Sequence, residues 1–107
     1  MILISNYLVP KGYVGITIFP FIVLKRESLK RDKTLVHHEQ IHLRQQLEVL
    51  VIPFYLIYCI EFLVRLIQYG SWTSAYRNIS FEREAFENES DFTYLKKRSF
   101  WNFMHYF

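Results

Sequence analysis

Twelve consecutive residues, Val49 to Ile60, carry no charge. That run constrains the fold more than any other feature of the chain. It is too apolar to lie free in water along its whole surface, and spanning a bilayer takes about 20 apolar residues. Extending it to Tyr69 brings in Glu61 and Arg65. Each charge at mid-helix costs roughly 2.5–3.5 kcal/mol on insertion scales. The two stand four residues apart and can pair on one helix face, which lowers that cost. Two readings follow: a buried core helix, or a spanning or half-inserted segment. Pro53 restricts Ile52 and is expected to end or kink the preceding helix.

A chain of 107 residues fits one domain, 1–107. With 51% apolar and 19% aromatic residues it can build a core, and intrinsic disorder is excluded. Residues 13–25 are rich in β-branched and aromatic types and read as strand, with Pro20 marking an edge, bulge or break. Ile2 to Val9 is the expected partner strand, with Lys11-Gly12 as the turn. Lys25 to Lys33 reads as a charged loop. Thr34 is the expected N-cap of a helix from Leu35 to Val51. Phe54 to Tyr69 reads as a second helix closed by Gly70. Trp72 to Ile79 reads as a short helical piece. Ser80 is the expected cap of a further helix, Phe81 to Glu89, whose acidic first turns suit the helix dipole. The tail from Asp91 to Phe107 is expected to be helical with an aromatic face. The expected class is α+β, mostly helical, with a small N-terminal β-element.

The net charge of +3 is too small to argue for nucleic acid, so no nucleic-acid partner is expected. Basic residues cluster at Lys25, Arg26, Lys30, Arg31 and Lys33, and again at Lys96, Lys97 and Arg98. They read as solvated loops or as contacts for an anionic membrane surface. One cysteine, Cys59, excludes a disulfide framework and reads as inert within the apolar run. Met1 to Pro10 lacks the features of a secretory signal, so the expected location is cytoplasmic or membrane-associated.

His38-Glu39-Gln40-Ile41-His42 has the form H-E-x-x-H. Residues i and i+4 share a helix face, so His38 and His42 can present ring nitrogens to one Zn²⁺. Glu39 beside them can take a proton from water and deliver it to a leaving amine. His37 points about 100° away from His38 on a helix and reads as a neighbour or surface residue. A catalytic zinc needs a third protein ligand and an open position. No third histidine follows at short range, so carboxylates are the candidates. The strongest lie in Ser80-Phe81-Glu82-Arg83-Glu84-Ala85-Phe86-Glu87-Asn88-Glu89. Glu82 is favoured, and Glu84, with Asn88 as its polar companion, is the alternative.

H-E-x-x-H followed downstream by Glu82-Arg83-Glu84-Ala85 resembles the gluzincin metallopeptidases. These include membrane-associated families related to prenyl-protein proteases and to the peptidase domain of β-lactam sensor proteins, and the very short minigluzincins. The resemblance runs from about Thr34 to Glu89. It implies a minimal zincin-like fold, Zn²⁺ held by His38, His42 and Glu82, Glu39 as acid and base, and a peptide or protein substrate. Ala85 matches the small residue three beyond the ligand. Phe86 stands where the family has an Asp bracing a histidine. Gln45 or Gln46 is expected to hydrogen-bond near the site. Tyr55, Tyr58 or Tyr76 could stabilise an oxyanion, and Ile16 to Leu24 could bind an extended peptide. Two other classes stay open: a non-catalytic zinc-stabilised or membrane-associated protein, and a small membrane-anchored interaction protein without metal.

Overall fold

The computed structural model describes residues 1–107. Pro20 decides the N-terminal topology. It has no N–H for a ladder, and it divides the 13–25 run into β2 (Gly15–Ile18) and β3 (Phe21–Leu24). These pair antiparallel, with Gly15 opposite Leu24 and Ile18 opposite Phe21. The turn between them contains a cis Phe19–Pro20 bond. The short β1 (Ile2–Ile4) pairs parallel with β3 on its other side, Ile2 opposite Ile22. The strand order is β1-β3-β2, so β2 is an edge. This corrects the expected hairpin through Lys11-Gly12. The turn chemistry lies at Pro20, and residues 5–14 instead carry the chain from one side of β3 to the other. The class is α+β and mostly helical, with this small sheet at the N-terminus.

After a 3-10 turn at Glu27–Arg31 comes α1 (Lys33–Val49). Its N-cap is Asp32, not Thr34: the Asp32 carboxylate accepts from the Leu35 N–H at 3.1 Å, satisfying one of the first-turn donors. Helix α1 stops at Leu50, whose φ of 71° and ψ of 157° no helix accommodates. Helix α2 (Val51–Tyr69) starts at once. Pro53 therefore lies inside its first turn, where a missing N–H leaves no bond unmade. It helps begin α2 rather than end α1. Gly70 closes α2 in the left-handed conformation, its N–H reaching the Leu66 carbonyl at 2.8 Å.

Next come α3 (Trp72–Arg77) and α4 (Ser80–Asn88). Ser80 is the first residue of α4 rather than its cap. Its backbone N–H and its hydroxyl both donate to the buried Glu61 carboxylate of α2, at 2.8 and 2.6 Å. A carboxylate from another helix thus occupies the positive end of α4, where the dipole favours it. The tail is less helical than expected. It holds one turn, α5 (Tyr94–Lys97), and a 3-10 turn at Asn102–Tyr106.

The main core gathers Phe54, Ile79, Phe81 and Phe103. The Phe54 and Phe81 rings sit 4.4 Å apart, and burying each such side chain contributes roughly 1.5–3 kcal/mol. Helix α2 is not the buried core helix its apolarity allowed: only Phe54 and Glu61 on it are fully buried.

Candidate metal centre

Helix α1 places His38 and His42 one turn apart, with ring centroids 4.9 Å from each other. Helix α4 crosses it and brings Glu82 between the rings. Oε1 of Glu82 lies 3.0 Å from Nε2 of His38 and 3.0 Å from Nε2 of His42. One ligand atom from each residue lies within 4.8 Å of the others, and all three residues are buried. Such a group can hold a metal ion. The donor set also fits one. Glu39, Glu82 and Glu89 gather around two imidazoles, and a divalent cation balances carboxylates that burial otherwise penalises.

Of the two candidate carboxylates, the rings meet Glu82. Two residues further on, Glu84 faces roughly 200° away by helical spacing and enters a different network. Arg98 donates to Glu84 and, through both terminal nitrogens, to Glu48 at 2.7 and 2.9 Å. Tyr94 also donates to Glu84. The guanidinium is sealed from solvent. The Asn88 side chain reaches the Glu84 backbone carbonyl rather than its carboxylate.

The far nitrogen of each imidazole is held too, which aims Nε2 inward. Nδ1 of His42 lies 2.8 Å from Oε1 of Gln45. The Gln45 amide nitrogen in turn donates to Glu84 at 2.9 Å and to the Phe81 carbonyl at 3.1 Å. Nδ1 of His38 lies 3.2 Å from Oε2 of Glu89. Phe86, in the bracing position, instead sets its ring edgewise on His38 at 4.5 Å and lies beneath the Arg77 guanidinium. Glu89 was missing from the sequence-based site. A signal for it existed: seven residues after Glu82, it returns to the same helix face. His37 is a neighbour and not a ligand, its Nδ1 lying 2.9 Å from the Glu89 carbonyl, but it is buried rather than on the surface.

Glu39 is held from the sheet. The Thr17 hydroxyl of β2 donates to its Oε1 at 2.7 Å. Gly15, two residues before Thr17, lies close against the facing strand: a Cβ there would stand 3.0 Å from the Leu24 side chain. Gln46 clamps the same edge, donating to the Thr17 carbonyl and accepting from the Phe19 N–H, both at 2.7 Å.

A cavity of about 270 Å³ opens on Glu39, His42 and Glu82, walled by Tyr13, Ile16, Thr17, Tyr55, Tyr58 and Tyr76. A second space of about 410 Å³ reaches His38, Glu39 and Glu89 from the other side. Tyr13 and Tyr76 line both, their rings in edge contact at 5.3 Å. Tyr58 donates to Oε2 of Glu82 at 2.7 Å, and Tyr55 donates to the Thr17 carbonyl.

Burial raises the Tyr55 pKa to about 12, with the Glu39 charge adding to it. Burial, then the Glu82 charge, likewise raises Tyr58 and Tyr76. All three phenols stay protonated at neutral pH. For His42 burial pulls the pKa down, but the Glu82 charge and hydrogen bond outweigh it and raise it to about 9. For Glu82 burial pushes upward, yet the two histidines hold it far below the usual carboxylate range.

Compared with protein-family models, with curated proteins and with solved structures, the chain matches none.

Proposed function

We propose that this chain is a zinc-dependent metallopeptidase of the gluzincin type, in which His38, His42 and Glu82 hold the ion and Glu39 is the general base and acid. The observation that carries the reading is the convergence of two Nε2 atoms and one carboxylate oxygen beside Glu39, at the head of a cavity. Two imidazoles and one carboxylate form a donor set suited to zinc. Zinc held there would supply Lewis acidity and bring the pKa of water toward neutrality.

The chain's own residues do the rest. Glu39 accepts a proton from the attacking water and passes it to the amide nitrogen as the C–N bond breaks. Thr17 fixes one oxygen of that carboxylate. Tyr55 and Tyr58 already donate within the fold, so Tyr76, whose protonated phenol lines the cavity, is the donor for charge developing on the carbonyl oxygen. Gln46 and Tyr55 already take the Thr17 carbonyl and the Phe19 N–H, so edge strand β2 is open to an extended peptide at its Gly15 end, and the tyrosine-rich walls favour an apolar side chain.

The test begins with metal analysis of protein purified without added metal, followed by digestion of a peptide library. The expected result is one zinc per chain and cleavage that Glu39→Gln lowers by about 10²–10⁴ while zinc stays bound. Zinc without cleavage overturns the peptidase and leaves a zinc-stabilised protein. An absence of zinc overturns both.

A further inference from the structure

Helix α2 presents water with a face that contains no polar side chain. Ile52, Leu56, Ile60, Leu63 and Ile67 are exposed by 59% to 86%. With Val64 and Cys59 they form a stripe about 22 Å long and about 140° wide, at 1.5 Å and 100° per residue. Stripes of this width normally face a core, and monomeric soluble proteins rarely leave so large an apolar patch uncovered.

We propose that this face of α2 lies in the interfacial plane of a lipid bilayer. The proposal depends on the fold and not on the peptidase reading.

The opposite face of α2 decides against spanning. Glu61 is sealed onto Ser80, and Tyr58 onto Glu82. Lipid on all sides would strip those groups of their partners, whereas a helix lying in the plane keeps them. The ends of the stripe carry the aromatic residues favoured at headgroup depth. At one end Trp72 is 65% exposed, its ring 4.8 Å from that of Phe62 on α2. At the other, Phe100 and Trp101 stack on each other, and the Trp101 backbone N–H donates to the Glu48 carboxylate near the α1–α2 junction. Lys97 is paired with Asp91 at 2.7 Å, and exposed Lys96 beside it adds positive charge on a chain of net +3, which complements anionic headgroups.

A second copy of the chain is the competing occupant. Leu56, Ile60, Leu63 and Ile67 do have coiled-coil spacing. The flanking positions, however, hold Ile57, Cys59, Val64 and Leu66, where a water-exposed coiled coil carries charges. The stripe also lacks Gly or Ala for close helix approach. Hydrocarbon makes neither demand.

The experiment uses the full chain with phosphatidylcholine vesicles, with and without phosphatidylglycerol. Trp72 and Trp101 are the only tryptophans, so their emission reports on both ends of the stripe. The chain is expected to float with vesicles, more strongly with the anionic ones, with a blue shift and quenching by brominated lipid. The double variant Leu56→Glu/Leu63→Glu changes exposed positions only and is expected to keep its circular dichroism spectrum. Its partitioning falls about a hundredfold. Three results overturn the proposal. One is a chain that stays in solution with both vesicle types. Another is anionic binding that the double variant leaves unchanged. The third is a stable lipid-free dimer that the double variant makes monomeric.

Discussion

Helices α1 and α2 follow one another with only Leu50 between them, and they turn opposite chemistry inward. Helix α1 buries His37, His38, Glu39, His42, Gln45 and Gln46. Helix α2 buries Phe54 and Glu61 and leaves its aliphatic stripe in the open. Buried polar groups mostly need partners. On α1 these come from β2 and its turn, from α4 and from Glu89 just beyond it, while Nε2 of His37 is buried without one. The difference separates an inward face whose buried ligand groups can hold a cation from an outward face that is apolar and uncovered.

The contrast can be broken hardest at Arg98, the cation that neutralises the buried carboxylates behind His42. Arg98→Ala leaves Glu84 and Glu48 uncompensated. It is expected to destabilise the fold by about 3–5 kcal/mol, read by denaturant unfolding. Glu89→Ala removes the group behind His38 and is expected to weaken zinc binding by about 10–100-fold in a competitive chelator titration.

The third prediction concerns pH. In the metal-free chain the folded His42 pKa, about 9, exceeds its ordinary value of 6.5. Its contribution to stability is therefore complete below 6.5 and is lost as pH rises through 9. Zinc reverses the trend, because protons compete for the imidazoles. The gap in Tm between zinc-loaded and metal-free protein should widen steadily across that range, as thermal melts at a series of pH values would show. The smallest effect belongs to the outward face. Leu63→Glu, without lipid, is expected to shift stability by no more than about 0.5 kcal/mol, because nothing in the fold rests on that side chain.

Much of the site was legible because it is local. H-E-x-x-H puts two imidazoles on one helix face by spacing alone. Glu82 was legible as a ligand candidate from its place in the first turns of an acidic helix. Glu89 was legible in principle, through the same period, but the bracing position drew attention to Phe86. The sequence favoured Glu82, but what excludes Glu84 was not legible. It depends on Arg98, 14 residues beyond Glu84, folding back to claim that carboxylate. Nor was the cap of α4, where Glu61 reaches Ser80 from 19 residues away. The strand order was not legible for a related reason. Pro20 announces a break, but which strand pairs on the far side of β3 is a choice between distant segments.

By itself the sequence determined helices α1 to α4 to within a few residues, the left-handed stop at Gly70 and the pair of histidines with Glu39 beside them. Each follows from interactions within a few residues, where periodicity and backbone sterics suffice. Only the tertiary structure decided which glutamate meets the histidines, which groups hold their far nitrogens, and which face of the apolar helix is left uncovered. Those outcomes depend on contacts between segments far apart in the chain, and local spacing carries no information about them.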